Sequence, residues 1–111
     1  MVRILLVEDQ RTTAVMLQRA LESAGHSVEH VDNGDRALVS FRRRRPDLVI
    51  TDIVMPGLTS PIIAISGGGR TATFEFLDLA RDVGAWDVLR KPVSSGQLLA
   101  AVDRCPELRT E

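Results

Sequence analysis

Glu8 with Asp9, Asp52, Ser66 with Gly67-Gly68-Gly69, and Lys91 are the residues of this 111-residue chain whose types and placement could do chemistry. Each set follows a short apolar run: "ILLV" (4–7), "LVI" (48–50), "IIAI" (62–65) and "VL" (88–89). Were those runs parallel strands of one sheet, their carboxyl ends would share a rim, and a doubly wound sheet binds ligands outside that rim. Three carboxylates gathered there repel one another unless a cation lies between them. Oxygen donors without Cys or a nearby His suit a hard ion, above all Mg²⁺, which takes one or two carboxylates and keeps several waters. Lys91 adds a second positive charge, Ser66 a hydroxyl, and the glycines let backbone N–H groups approach an anion. Such a constellation suits a phosphoryl group carried on Asp52.

Taken singly, each element has a plainer reading. Glu8-Asp9 could start a helix, and Asp52 could form a turn ahead of Met55-Pro56-Gly57. Three glycines alone make no nucleotide cradle, since no G-x-G-x-x-G follows the first strand. Lys91-Pro92 could be a surface turn. All four at strand ends, in order, favour a site.

The elements that must position them read as alternating strands and helices. Continuous apolar runs imply strands covered on both faces, whereas "SVEHV" (27–31) alternates and suits an edge. The first helical pattern puts Ala14, Leu17, Leu21 and Ala24 on one face and stops at Gly25. The second, over 35–44, faces Ala37, Leu38 and Phe41 inward; the third, over 72–84, ends at Gly84. The fourth starts at Ser94 or Ser95 as N-cap and runs to Pro106. The alternation predicts an α/β domain with a parallel sheet. It breaks once: the seven residues 54–60 between Ile53 and Pro61 include Pro56 and Gly57 and leave no room for a useful helix.

The chain is 44% hydrophobic and 26% charged, with net charge -1, which suits one globular domain spanning 1–111. Near-neutrality argues against nucleic acid or a membrane as partner. Arg42 to Arg45 close a helical pattern before Pro46, where cations suit a helix C-terminus, and no aromatic residues interleave them. A single cysteine, Cys105, spaced helically from Leu98, Ala101 and Val102, reads as core and fits a reducing cytoplasm. No apolar run reaches the length of a membrane span, and the N-terminus turns acidic too early for a signal peptide. His26 and His30 flank the edge strand and are expected at the surface, away from the site.

The motifs "LLVEDQ", "PDLVITDIVMPG", "PIIAISGGG" and "GAWDVLRKPV" span nearly the whole chain. Together they resemble the receiver domain of two-component response regulators. The resemblance implies a flavodoxin-like, doubly wound five-stranded sheet of order 2-1-3-4-5. It implies that Asp52 is the phosphoacceptor, attacking a phosphohistidine on a sensor histidine kinase or phosphotransfer protein. Asp9, Asp52 and the backbone carbonyl of Val54 would bind Mg²⁺, with Glu8 acting through water. Ser66 and the N–H of Gly67 would meet the phosphoryl oxygens, and Lys91 would pair with Asp52 and then with the phosphoryl group. Such a domain catalyses its own phosphotransfer and slow dephosphorylation; it is a switch for a downstream protein partner rather than an enzyme with turnover.

Two departures stand out. The position three before Lys91, where receivers carry an aromatic residue coupled to the Ser66 hydroxyl, is Val88, with Trp86 nearby. The family's third helix, between the third and fourth strands, is absent or replaced by a short loop. A bare crossing would uncover part of one sheet face, over Leu48, Ile50 and Ile63. The expected remedy is a symmetric homodimer, with or without exchange of the segment from Pro61 onward; a shift of the 72–84 helix is the other. The chain ends at "CPELRTE" with no helix-turn-helix or catalytic unit after it, so a stand-alone receiver is expected. The rival is a receiver-like interaction module that no longer switches. An aspartyl-phosphate phosphatase would want a second acid two residues after the nucleophile, where Val54 stands.

Overall fold

Ile4, Leu5, Leu6 and Val7 are all buried, so β1 (Arg3–Val7) has both faces covered, as its unbroken apolar run requires. The structure is a computed structural model that describes residues 2–51, 60–66, 87–90 and 93–105. In it β1 lies between β2 (Ser27–Val31) and β3 (Leu48–Thr51), and both pairings are parallel. β4 (Ile62–Ser66) pairs with β3, and β5 (Asp87–Arg90) with β4, again in parallel. The order β2-β1-β3-β4-β5 is the flavodoxin-like one expected. β2 sits at an edge and is the strand whose exposure alternates.

Three described helices flank the sheet. α1 (Arg11–Ser23) buries Ala14, Leu17 and Leu21. It ends in two bonds that take up its last carbonyls: Gly25 N–H donates to Glu22 O (3.0 Å) and His26 N–H to Leu21 O (3.1 Å). The closure needs the left-handed backbone of Gly25 (φ 93°), which a residue without Cβ adopts at little cost. Ala24, expected on the buried face, is the exposed C-cap, because the helix stops one residue earlier.

α2 (Gly34–Arg43) starts at Asn33, whose side chain accepts from Arg36 N–H (2.9 Å). Its buried residues are Ala37 and Ser40, with Leu38 and Phe41 only half-buried. A serine can take that place because its Oγ donates to the Glu29 carboxylate (2.6 Å) on β2. α3 (Ser95–Arg104) carries a full capping box between Ser94 and Gln97 and buries Leu98, Ala101 and Val102. Cys105, its C-cap, is a buried free cysteine, in keeping with the core position expected of it.

α1 and α3 cover the sheet face that bears Ile4, Leu6, Leu48, Ile50, Ile63 and Ile65. α2 covers the other face, with Leu5, Val7, Val49 and Ile62. This corrects one expectation. Leu48, Ile50 and Ile63 were placed under a bare face, yet all three are fully buried beside α1 and α3 residues. The neighbouring positions on the opposite face, Val49, Ile62 and Ala64, are buried too.

The step from β3 to β4 is also longer than the sequence suggested. β3 ends at Thr51, so the chain has residues 52–61 in which to return. The stagger is small, since Val49 pairs with Ile62 and Thr51 with Ala64, and Val49 N–H donates to Pro61 O (2.9 Å). Ser60 fixes the landing point. Its buried hydroxyl donates to Pro46 O (2.6 Å) and accepts from Arg45 Nε (3.4 Å), just ahead of β3. The question of the third helix falls in 52–59, and the 72–84 pattern falls in 67–86; both lie outside the described residues.

Candidate functional site

Parallel pairing sends the carboxyl ends of all five strands to one edge. Val7 pairs with Thr51, so β1 and β3 end level with each other. Glu8, the first residue beyond β1, donates its N–H to Val31 O (3.1 Å) and is fully buried. Its carboxylate Oε2 accepts from Gln10 N–H (3.0 Å). A buried carboxylate is tolerable when backbone donors meet it, and here the donor comes from the turn the residue itself begins. Asp9 is exposed and borders a cleft of about 360 Å³ with Arg11, Gln18, His30 and Asp32. One acid is thus buried within the protein and its neighbour faces solvent, where an ion can reach it.

The other expected site residues divide into two groups. Ser66 closes β4 opposite Arg90, and Val88 lies in β5 opposite Ala64, so both are on strands running to the same rim. Asp52, Val54, Gly67 and Lys91 lie outside the described residues. Among the described residues no group of three or more His, Cys, Asp or Glu side chains is placed to hold a metal ion. The metal set expected from the sequence includes Asp52, so that set is not represented there.

His30 needs a correction. It was expected at the surface and away from the site, but it lies within β2, half-buried, with Nε2 2.8 Å from the carbonyl oxygen of Glu8. Leu6 pairs with His30, which sets the imidazole one residue below the strand end and within reach of the acid turn. The alternation of "SVEHV" signalled that His30 shares a face with Val28; which element covers that face was not legible. Gln10 was also missed. It is the N-cap of α1 yet makes no side-chain cap bond, its side-chain Oε1 instead accepting from Thr13 Oγ1 (3.3 Å).

Residues 4–59 match the family described as "Response regulator receiver domain". The chain is 31% identical to Protein PilH of Pseudomonas aeruginosa over 119 residues, covering 93% of this chain and 96% of PilH. This chain belongs to the response regulator receiver domain family. Its identity to the DNA-binding response regulator MtrA of Mycolicibacterium paratuberculosis is also 31%, over 90% of this chain and about half (49%) of MtrA's length. The fold agrees with the high resolution structure of the chemotaxis response regulator CheY4 of Vibrio cholerae at a TM-score of 0.79 and 26% identity, over 95% of this chain and 98% of that one. As a receiver, the chain is a phosphorelay signal-transduction module. None of its described helices is long and apolar enough to cross a membrane.

Proposed function

We propose that Asp52 is the phosphoacceptor of this receiver and that it takes its phosphoryl group from a phosphohistidine on a sensor histidine kinase or phosphotransfer protein. The observation that carries the reading is the level pairing of Val7 with Thr51, because Glu8-Asp9 and Asp52 are the residues that follow those two strands in the chain. A carboxylate oxygen of Asp52 attacks phosphorus, the O–P bond forms as the N–P bond breaks, and the imidazole nitrogen of the donor leaves and takes a proton.

The residues fit Mg²⁺: the acids offer oxygen donors only, with Glu8 buried and held by Gln10 and Asp9 open to solvent. Asp9, Asp52 and the Val54 carbonyl would hold the ion directly and Glu8 through water. When bound, Mg²⁺ neutralises charge on the phosphoryl oxygens. In this reading Lys91, the Ser66 hydroxyl and the Gly67 N–H take the remaining oxygens. The receiver catalyses its own transfer and slow dephosphorylation in the cytoplasm and passes the signal to a downstream protein. Homodimerisation, expected from an uncovered face, keeps only the short crossover as support; sedimentation over a concentration series separates dimer from monomer.

The test is intact mass after incubation with Mg²⁺ and a small acyl phosphate. Wild type should gain one phosphoryl group and Asp52→Ala none. Val88, which has no ring to rotate, favours one second reading, a receiver-like interaction module that does not switch. Folded wild-type protein that binds Mg²⁺ but gains no mass would decide for that module.

A further inference from the structure

We infer that His30 is a positioning residue for the acid turn, holding through Nε2–H the peptide that joins Glu8 to Asp9. The inference rests on the phosphoacceptor reading above, and its geometry is independent of Asp52. Bonds that hold the turn include Glu8 N–H to Val31 O (3.1 Å), Gln10 N–H to Glu8 Oε2 (3.0 Å), and, as the third, His30 Nε2–H to Glu8 O (2.8 Å). The third differs from the others in kind. It grips the carbonyl of the very peptide whose other end is the Asp9 nitrogen, so the plane of that peptide sets the direction in which Asp9 leaves the strand.

Gln10, the N-cap of α1, makes no side-chain cap bond. His30 reaches the carbonyl because Leu6↔His30 pairing puts it on the α1 face of the edge strand, where its neighbours in the cleft are Asp9, Ala14, Gln18 and Asp32. A half-buried strand position on that face would be filled as well by valine or leucine, as Val28 fills the equivalent place two residues earlier. What imidazole adds is a donor for a carbonyl oxygen. With Nε2 donating, the neutral ring keeps its acceptor on Nδ1.

The experiment compares wild type with His30→Leu, which keeps the apolar bulk, and His30→Gln, whose amide reaches about as far as Nε2 and can donate. Mg²⁺ affinity of the folded proteins is measured by titration calorimetry, with melting temperature recorded separately. His30→Leu should bind Mg²⁺ about three- to tenfold more weakly, the worth of one hydrogen bond that sets a ligand's direction, while His30→Gln stays within about twofold of wild type. Leucine binding Mg²⁺ as tightly as wild type, whatever its melting temperature, would overturn the inference and leave His30 as packing. Should the leucine variant not fold, ¹⁵N spectra of the wild-type imidazole decide: an Nε2–H tautomer at His30 supports the bond, and an Nδ1–H tautomer overturns it. Wild type that binds no Mg²⁺ would instead overturn the metal site of the proposed function, and this inference with it.

Discussion

Removing one hydroxyl, in Ser60→Ala, should weaken the domain by about 1–3 kcal/mol, because it strips the partner from a buried carbonyl. Ser60 and Pro46 are both buried, and the 2.6 Å bond between Ser60 Oγ and Pro46 O ties the end of the crossover to the start of β3. Thr51 is level with Ala64, so Ser60 lies four strand positions below, roughly 13 Å back along the sheet at 3.3 Å per residue. Residues 52–59 join Thr51 to Ser60, and that length of chain reaches at most about 30 Å, roughly twice what the return needs. The anchor stands at the end of the stretch of chain that carries Asp52. Urea unfolding should show the midpoint fall at unchanged m-value, and the melting temperature should drop by roughly 5 °C per kcal/mol for a domain this size. Ser95→Ala, at an exposed position on the first turn of α3, is the control and should stay within about 0.5 kcal/mol. A Ser60→Ala loss no larger than the control's would refute the anchoring role.

Gly25→Ala should cost about 1 kcal/mol by urea unfolding, all of it backbone strain, because a Cβ there meets nothing within 4 Å; Gly25→Asn should cost less. Arg43→Ala should change stability by no more than about 0.5 kcal/mol, since its 3.4 Å pair with Glu29 is largely exposed. Glu29→Ala should cost more, roughly 1 kcal/mol or above, by leaving the buried Ser40 hydroxyl without this acceptor; equal losses in the two variants would contradict that distinction. Mg²⁺ should raise the melting temperature of wild type with rising concentration and raise that of Asp9→Ala less, because ions that bind only the folded state stabilise it by mass action; equal shifts would remove Asp9 from the site.

Much of the domain could be read directly. The unbroken runs at 4–7, 48–50 and 62–65 became the buried strands β1, β3 and β4, and the alternating "SVEHV" became the edge. Gly25 closes α1 and Ser94 caps α3, as expected of residues with those local conformational and hydrogen-bonding habits. That Glu8 and Asp9 follow a strand, which is what made them candidates, could also be read directly. These are short-range signals, and a few neighbouring residues carry each of them.

What the sequence could not supply depends on which residues far apart in the chain become neighbours. Ser40 is buried because Glu29, on the adjacent strand, offers it an acceptor, so an amphipathic pattern that counts only apolar residues passes over it. Leu48, Ile50 and Ile63 were expected under a bare face because alternation tells which residues share a face, while helix packing decides which face is covered and by what. Ser60 reads as a loop serine until the β3–β4 register brings it to Pro46. His30 reads as a surface residue until Leu6 is set beside it and the carbonyl of Glu8 comes within 2.8 Å. The sequence alone determined the elements, their order and the acids that follow the strands; tertiary structure decided the bonds made at the Glu8 turn, since pairing register is a property of two segments and neither segment encodes it by itself.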